Sequence, residues 1–328
     1  MKVIIIGGGI GGLSPALALH QRGIPCQVYE SVPEIKALGV GISLLPHAMR
    51  EFSALGLEPR LRQLAIEIRE HKFFNRYGQF IYSEPRGTYA GYPYPDLAIH
   101  RGRLHIALME AVVERLGADS IATGHRCHRV EQDETGVRVW FTETSTGREL
   151  APVRGDIAVA CDGINSAVRK QFYPDETLAY GGINMWRGVT RHKRIFDGHT
   201  YLRAGSIDTG KMVIYPIIDS VDGGDDQWIN WVAELRQSTM GMNDWNKGGK
   251  LEDFFYAYKD WHFDWLDVAQ LIIDAEQILE YPMVDRDPVD RWSFGRVTLL
   301  GDAAHPMYPR GANGGAQAVI DARTLAEL

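Results

Sequence analysis

The sequence predicts an α/β protein in which a parallel sheet with helices is interrupted by an antiparallel sheet. Three observations support this prediction. An apolar, β-branched run at the N-terminus leads into a glycine-rich turn and a helix-like segment. From about residue 180 to residue 282 the chain changes to aromatic-rich strand candidates. Buried-strand character then returns at residues 296–300, so the first unit is completed after the interruption.

The N-terminal segment has the pattern of a β-α-β unit. Residues 2–6 form a continuous β-branched run, which is typical of a strand buried on both faces of a parallel sheet. Residues 11–22 predict a helix, because apolar side chains recur near helical spacing and Gly23 follows as a stop signal. Residues 27–29 predict a second strand that ends at Glu30.

The later segments follow the same patterns. Helices are predicted at residues 46–55, Arg101–Leu116, 251–258, 266–273 and 314–328, and a short one ends at Phe172. Strands are predicted at residues 129–132, 137–143, Ile157–Ala160, 183–190, 212–218, 228–235 and 296–300. We therefore predict a discontinuous Rossmann-like domain of residues 1–70, 98–178 and 283–328, interrupted by an antiparallel-sheet domain of residues 71–97 and 179–282.

Composition excludes several classes of protein. The chain has 328 residues, 45% of them hydrophobic, and a formal net charge of −7, so it can bury a core and has no basic surplus for nucleic acid or an anionic membrane. No apolar run is long enough for a transmembrane helix. Cys26, Cys127 and Cys161 stand far apart, so we expect no zinc site and no disulfide framework. Free thiols suit a reducing cytoplasm, where we expect the protein.

The first motif is the glycine-rich turn after the first strand, which has the form G-x-G-x-x-G. We expect Gly7 in the tight turn, Gly9 where a pyrophosphate approaches the helix N-terminus, and Gly12 where helix and strand pack closely. Glu30 ends the second strand, where a carboxylate can accept hydrogen bonds from both ribose hydroxyls of an adenosine. The pattern predicts dinucleotide binding, and the alternative is a glycine-rich turn beside a surface glutamate.

The second motif is Asp162-Gly163, directly after a predicted buried strand. By itself this pair is an ordinary turn signal. Asn165 or Ser166 could also cap the short helix that follows. The motif therefore indicates a function only in combination with the other two.

The third motif is the segment from Gly301 to Ala318, in which a buried strand delivers Asp302. An acid at the end of a strand can hold a ribitol or ribose hydroxyl. A loop rich in proline and glycine then leads to a helix N-terminus at about residues 313–316, which can stabilise negative charge on a cofactor ring. His305 permits two interpretations, a catalytic histidine or a histidine that orders the loop.

Together the motifs resemble a known family. GGGIGG at 7–12, the Asp-Gly pair at 162–163 and GDAAHP at 301–306 are similar to those of the FAD-dependent aromatic hydroxylases, the single-component flavoprotein monooxygenases related to p-hydroxybenzoate hydroxylase. The resemblance covers the whole chain. Within that family, four stretches are most similar to the phenazine-carboxylate monooxygenase type, namely IHRGRLHIAL, GGINMWRGVT, DWNKGGKLEDF and YPMVDRDP.

The resemblance implies roles for the motifs. The glycine-rich turn would hold the FAD pyrophosphate, and Asp302 the ribityl chain. Arg101 would lie near the ribityl–phosphate region, unless it is only a surface arginine that starts a helix. The loop around Pro309 and the following helix N-terminus would face the isoalloxazine ring. The implied cofactor-binding residues are Gly7, Gly9, Ile10, Gly11, Gly12, Glu30, Ser31, Val40, Gly41, Arg101, Asp162, Gly163, Asp302, Pro309, Gly314 and Gly315.

The resemblance also implies a reaction. We expect an FAD-dependent monooxygenase that uses NADH or NADPH and hydroxylates an aromatic or polycyclic, phenazine-like substrate through a flavin C4a-hydroperoxide. Because the chemistry belongs mainly to the flavin, we assign no catalytic side chain. The pocket is expected between the flavin and the antiparallel sheet, with Trp186 and Tyr215 as substrate contacts. The alternative is that both are core aromatics of that sheet.

Two other functions stay open, a flavin-dependent reductase of an unsaturated substrate and a degenerate flavin-binding protein without catalysis. The expected partners are a small aromatic substrate and O2, without nucleic acid, membrane or metal, and the expected assembly is a monomer or a homodimer. Members of the family usually continue with a further C-terminal helical segment. This chain stops inside the preceding helix, at Leu328, so either the sequence is truncated there or the further segment is absent by evolution.

Overall fold

The structure is a computed structural model, and it describes residues 1–36, 39–238 and 248–328. The first four residues of the stretch at 244–254 quoted above lie outside this description. The described helices are α1 (Ile10–Gln21), α2 (Pro46–Ala54), α3 (Glu58–Leu64), α4 (Arg101–Leu116), α5 (Ala167–Phe172), α6 (Val268–Ile273) and α7 (Gly314–Glu327). The described strands are β1 (Val3–Ile6), β2 (Cys26–Tyr29), β3 (Gly41–Leu44), β4 (Ala65–Glu67), β5 (Glu70–Phe74), β6 (Phe80–Pro85), β7 (Leu97–His100), β8 (Ile121–Ala122), β9 (His125–Asp133), β10 (Gly136–Glu143), β11 (Val153–Gly155), β12 (Ile157–Ala160), β13 (Ala179–Lys193), β14 (Thr200–Ser206), β15 (Gly210–Ile218), β16 (Asp226–Arg236), β17 (His262–Phe263), β18 (Leu266–Asp267), β19 (Ile278–Asp285), β20 (Ser293–Phe294) and β21 (Val297–Leu299).

The first sheet has six strands in the order β20-β21-β12-β1-β2-β8. Strand β1 pairs in parallel with β2 and β12, and β21 pairs in parallel with β12. All four residues of β1 are buried, as expected for an aliphatic strand covered on both faces. Helices α1, α2, α4 and α7 contribute to the core on one side of this sheet, and strands β9 and β10 contribute to the core on the other. The predicted parallel sheet is confirmed.

The second large sheet has seven strands in the order β19-β13-β16-β15-β14-β5-β6. Its neighbours are antiparallel, except that β14 and β5 run in parallel. One face, here called the inner face, carries Met185, Val213, Tyr215 and Val232, which pack with residues of β4 and β7. The other face, here called the outer face, packs against α6 and the segment at 254–263. The predicted antiparallel sheet is confirmed.

Two predicted helices differ from the structure. Instead of one helix at 251–258, two 3₁₀ turns occur, Leu251–Asp253 and Phe255–Ala257. They are separated at Phe254, whose φ of −144° is not helical and whose side chain is fully buried against the outer face. The segment at 266–273 starts as a strand and becomes helical only at Val268, because the Asp267 side chain accepts a hydrogen bond from the Gln270 N–H and caps the helix there.

Candidate active site

The predicted cofactor residues follow neighbouring strands of the six-stranded sheet. Strands β1, β2, β12 and β21 are parallel neighbours, so their carboxyl ends lie at one edge. The next residues include Gly7, Glu30, Asp162 and Asp302. Ligands of open α/β sheets bind outside the carboxyl ends of the strands. The fold therefore brings residues from four distant parts of the sequence to one edge.

The glycine-rich turn is shaped by close contacts between backbone segments. Gly7 has φ +103°, and an ideal Cβ on it would lie 2.4 Å from the Cys161 carbonyl oxygen. A Cβ on Gly12 would lie 1.8 Å from the Gly7 carbonyl oxygen, so neither position admits a side chain. Gly9 is the N-cap residue of α1, and a Cβ on it would meet no protein atom within 4 Å. The helix N-terminus therefore opens onto free space at Gly9, which fits a phosphate group.

Glu30 and Ser31 lie beside this turn. One Glu30 carboxylate oxygen accepts a hydrogen bond from the Gly8 N–H (2.6 Å), and the other accepts from the Ser31 hydroxyl (2.9 Å) and the Val32 N–H (2.7 Å). Nε2 of His105 is 2.6 Å from the Gly8 carbonyl oxygen, so the protonated nitrogen donates to it. Sequence reasoning missed His105, although it lies one helical turn after Arg101 on α4 and so shares its face.

One carboxylate oxygen of Asp162 holds the start of α5, and the other accepts no hydrogen bond from the described residues. Its Oδ2 accepts hydrogen bonds from the Ala167 N–H (2.8 Å) and, at longer range, the Val168 N–H (3.4 Å). Ser166 Oγ accepts from the Arg169 N–H at 2.8 Å, so of the two predicted caps, Asn165 and Ser166, it is Ser166 that caps α5. Within the described parts of the chain, Asp162 Oδ1 is buried without a hydrogen-bond partner, and burial raises the pKa of this carboxyl group. A group of the cofactor or of NAD(P)H could donate to this oxygen.

Asp302, Arg101 and the start of α7 converge at the same edge. Asp302 is exposed at this edge, but neighbouring protein groups partly desolvate its carboxylate and raise its pKa, while the positive charges of His305 and Arg101 act in the opposite direction. An ideal Cβ on Gly314 would lie 3.8 Å from Asp302 Oδ1. A Cβ on Gly315 would lie 3.4 Å from the side chain of Ile42 on β3, and the Arg101 N–H donates to the Val40 carbonyl oxygen (2.9 Å). The predicted residues around Val40, Arg101 and Asp302 are therefore neighbours.

His305 joins the loop after β21 to α7. Its Nε2 lies 2.6 Å from Asp321 Oδ2, and the same oxygen accepts the Gly301 N–H at 3.0 Å. Burial lowers the pKa of His305. The hydrogen bond to the Asp321 carboxylate and the charge of that carboxylate together raise the pKa by more, so the net shift is upward. These contacts are those of a histidine that orders the loop.

Arg169 is a second residue that sequence reasoning missed. Its guanidinium is almost fully buried and donates to the carbonyl oxygens of Ala303 (3.0 Å) and Ala304 (2.5 Å), beside Asp302. It also forms two hydrogen bonds to the Glu176 carboxylate, at 2.6 and 2.8 Å. One arginine thus holds the second and third motifs together. The only available signal was its place on the helix that follows Asp162.

The Pro309 loop precedes α7 and has unusual backbone geometry. Pro309 leads into a 3₁₀ turn (Arg310–Ala312) in which Gly311 has φ +77° and Ala312 has φ +55°, a conformation that alanine rarely adopts. Asn313 Oδ1 lies 3.1 Å from Nε2 of His47 on α2. The loop is therefore shaped by its own backbone and fixed at its end, and Pro309 itself is exposed.

The turn at Gly41 lies where the two large sheets meet. Its N–H donates to Asn230 Oδ1 (2.7 Å), and its carbonyl oxygen accepts from Nη2 of Arg187 (2.6 Å). An ideal Cβ on Gly41 would lie 2.7 Å from a ring carbon of Tyr215 and 2.8 Å from the Asn230 side chain. Only glycine fits, so the predicted flavin-facing turn packs directly on the inner face of the seven-stranded sheet.

Tyr215 and Trp186, the two predicted substrate contacts, lie on opposite faces of that sheet. Tyr215 is on the inner face, and its ring stacks on Tyr201 with centroids 4.8 Å apart. Trp186 is 1% exposed and stacks on Phe254 at 4.9 Å in the outer-face core. The assignment of Trp186 as a substrate contact is therefore corrected, because the backbone turns its side chain away from the flavin-facing turn and into the core.

The three cysteines are free thiols. In the described ranges, no group of three or more potential ligands could hold a metal ion. None of the helices described is both long and apolar enough to cross a lipid bilayer.

The site fits a flavin dinucleotide. The open helix N-terminus at Gly9 suits the pyrophosphate, Glu30 and Asp302 supply acceptors for sugar hydroxyls, and the unpartnered Asp162 oxygen remains available. With an antiparallel sheet packed against the Gly41 turn, fold and site together define a two-sheet flavoprotein.

The comparisons with known proteins agree. The FAD binding domain family matches residues 1–190 and 269–328. The chain is 44% identical over 329 residues to the phenazine 1,6-dicarboxylic acid hydroxylase PhzS of Lysobacter antibioticus, which covers 99% of this chain and 81% of that protein. It is 33% identical over 337 residues to the 3-hydroxybenzoate 6-hydroxylase of Polaromonas naphthalenivorans (strain CJ2), with 100% and 78% covered. The crystal structure of Klebsiella pneumoniae HpxO with FAD and uric acid matches with a TM-score of 0.80 at 26% identity, over 100% of this chain and 79% of that one.

The chain belongs to the FAD binding domain family. It is an FAD-dependent monooxygenase of aromatic compounds, with NAD(P)H as the co-substrate that is typical of these hydroxylases.

Proposed function

We propose that the protein hydroxylates a phenazine-like polycyclic aromatic compound, with FAD as cofactor and NAD(P)H and O2 as co-substrates. The observation that carries this proposal is the packing of the Gly41 turn, at the cofactor edge, directly on the aromatic inner face of the seven-stranded sheet. A planar ring system placed there would lie between Tyr215 and the cofactor. The 44% identity to a phenazine dicarboxylic acid hydroxylase supports the choice of a phenazine-like substrate.

The proposed FAD site follows from the geometry of the sheet edge. Gly7, Gly9 and Gly12 with the start of α1 hold the pyrophosphate, because the N–H groups and dipole of the helix favour negative charge. Glu30 holds the adenosine ribose, and Asp302 holds the ribityl chain. Remaining members of the proposed site are Ile10, Gly11, Ser31, Val40, Gly41, Arg101, Asp162, Gly163, Pro309, Gly314 and Gly315.

Bound FAD would supply the redox chemistry, which is reduction by NAD(P)H followed by activation of O2. The chain's own contribution is positioning. The inner face around Tyr215 orients the aromatic ring of the substrate and excludes water from the reacting centre. The N-terminus of α7 would face the ring of bound FAD, where its N–H groups and dipole would stabilise negative charge. We assign no general base.

The domain boundaries, the oligomeric state and the cellular location are also proposals. The two large sheets support interleaved domains, which we place at residues 1–70, 98–178 and 283–328 for FAD and at 71–97 and 179–282 for the substrate. The seven-stranded sheet extends slightly beyond these bounds, to Glu70 in β5 and to Asp285 in β19. We further propose a monomer or homodimer in the cytoplasm, where the three free cysteines would stay reduced.

The test is a stopped-flow screen of the purified protein. NADH or NADPH oxidation is followed with phenazines, quinolones and hydroxybenzoates, together with oxygen consumption and product mass. We expect phenazine-stimulated oxidation with one oxygen atom added to the product. Reduced product without oxygen uptake would instead indicate a flavin-dependent reductase. Flavin binding without any substrate-stimulated oxidation would indicate a non-catalytic flavoprotein.

A further inference from the structure

The backbone N–H and carbonyl oxygen of Gly41 both form hydrogen bonds with side chains of the seven-stranded sheet. The two side chains involved, Arg187 on β13 and Asn230 on β16, are 146 and 189 positions away in the sequence. Strand β3 itself pairs only with β7 among the described strands. Side chains of the proposed substrate domain, rather than the strand's own sheet, therefore bind both the N–H and the carbonyl oxygen of Gly41.

These two residues carry polar groups that folding alone does not explain. Nε of Arg187 and Nδ2 of Asn230 are buried and have no hydrogen-bond partner within the residues described. No described carboxylate pairs with the Arg187 guanidinium. A buried donor without a partner costs more free energy than an ordinary hydrogen bond contributes, and a neutral apolar pair could fill the same space. A buried polar group without a partner needs an explanation, and a role in a functional site is one of those it can have.

Arg187 also lies beside the proposed substrate wall. Burial raises the pKa of the Tyr215 hydroxyl group, and the positive charge of the neighbouring Arg187 guanidinium acts in the opposite direction. The Tyr215 ring in turn lies against the Gly41 backbone. One guanidinium thus forms a hydrogen bond with the turn that would face the flavin and acts electrostatically on the wall that would face the substrate.

We propose that Arg187, assisted by Asn230, is a positioning residue that couples substrate occupancy to the flavin-facing turn. When an aromatic ring packs against Tyr215, any shift of the hydroxyl group reaches the Gly41 carbonyl through this guanidinium. The inference rests on the proposed function, because it takes the substrate to lie against the inner face. It goes beyond that function by assigning roles to two residues that touch neither the substrate nor the cofactor.

The test compares Arg187→Met, Arg187→Lys and a matched control in the FAD-loaded protein. Arg191→Met is the control, because Arg191 lies on the same strand and on the same side, but pairs with Asp222 and Asp226 (both 2.9 Å) at the surface. The measurements are FAD per chain, the visible spectrum and midpoint potential of the flavin, and kcat and KM. Phenazine-1-carboxylate serves as the probe.

We expect Arg187→Met to retain FAD but to lose the spectral response of the flavin to the probe. Its kcat should fall by about 10- to 100-fold with little change in KM, because a small misplacement of reacting groups costs about this much. Arg187→Lys should restore part of kcat, since one N–H can still reach the Gly41 carbonyl oxygen. The Arg191 control should behave as the wild type.

Wild-type kcat and spectral response in Arg187→Met would overturn the coupling role. So would loss of FAD from both Arg187 variants, since that would show a purely structural role. If the wild type itself does not respond to phenazines, the proposed function fails, and the coupling is then judged on the ligand-free flavin. In that case the coupling role is overturned if Arg187→Lys and Arg187→Met both keep the wild-type flavin spectrum and midpoint potential. It is supported if the Arg187 variants shift the spectrum or the potential and the Arg191 control does not.

Discussion

Replacing Arg169 by methionine should destabilise the protein and loosen its hold on FAD. The substitution keeps the apolar stem but removes four hydrogen bonds, two to Glu176 and two to the carbonyl oxygens of Ala303 and Ala304. Breaking a buried ion pair costs about 3–5 kcal/mol. Because the Glu176 side chain is 21% exposed and can be partly solvated, we expect the lower end, about 3 kcal/mol.

The measurement is a thermal melt of the FAD-loaded protein with a flavin count per chain. About 3 kcal/mol corresponds to a melting temperature lower by roughly 4–5 °C for a chain of 328 residues, at an unfolding entropy of about 2.1 cal/mol/K per residue. Adding Glu176→Gln should recover part of the loss, because it removes a carboxylate that has lost its main partner and keeps only the Arg286 guanidinium at 3.9 Å. A melting temperature within about 2 °C of the wild type, with full flavin content, would refute the assignment of Arg169 as the link between the second and third motifs.

Three further predictions concern the cofactor edge. Glu30→Ala or Asp302→Ala should each weaken FAD retention, measured by equilibrium dialysis, by about 10- to 100-fold, because each removes hydrogen bonds to a charged group worth about 1.5–3 kcal/mol; unchanged flavin affinity in both would contradict their roles. Gly12→Ala should give no folded protein, because its Cβ would lie 1.8 Å from a carbonyl oxygen. Gly9→Ala should fold, as judged by circular dichroism, because its Cβ would meet no protein atom within 4 Å, but it should lose FAD. The raised pKa of His305 means that its charged form stabilises the fold below the ordinary pKa of about 6.5, and that this stabilisation is lost as the pH rises through the raised value; His305→Gln should therefore flatten the fall in melting temperature above about pH 6.5, and an unchanged pH profile would argue against the contact.

The sequence by itself determined the parts that depend on short-range rules. Glycine spacing, β-branched runs and acidic residues at strand ends predicted the parallel sheet and the loops at its carboxyl edge, because backbone conformation and strand burial are set within a few residues. The helix at Arg101–Leu116 was predicted at its observed bounds for the same reason. The prediction of one helix at 251–258 was wrong, because Phe254 packs into the outer-face core and interrupts the local helical pattern.

Only the tertiary structure decided which side chains meet. Alternation along a strand separates Trp186 from its neighbour Arg187, but it does not say which of the two faces the cofactor edge. That choice depends on the pairing of β13 with β16 and on the contact of Gly41 with Asn230 across 189 positions. The link from Arg169 to Ala303 likewise spans 134 positions. Such contacts arise from packing between distant segments, so no local pattern in the sequence records them.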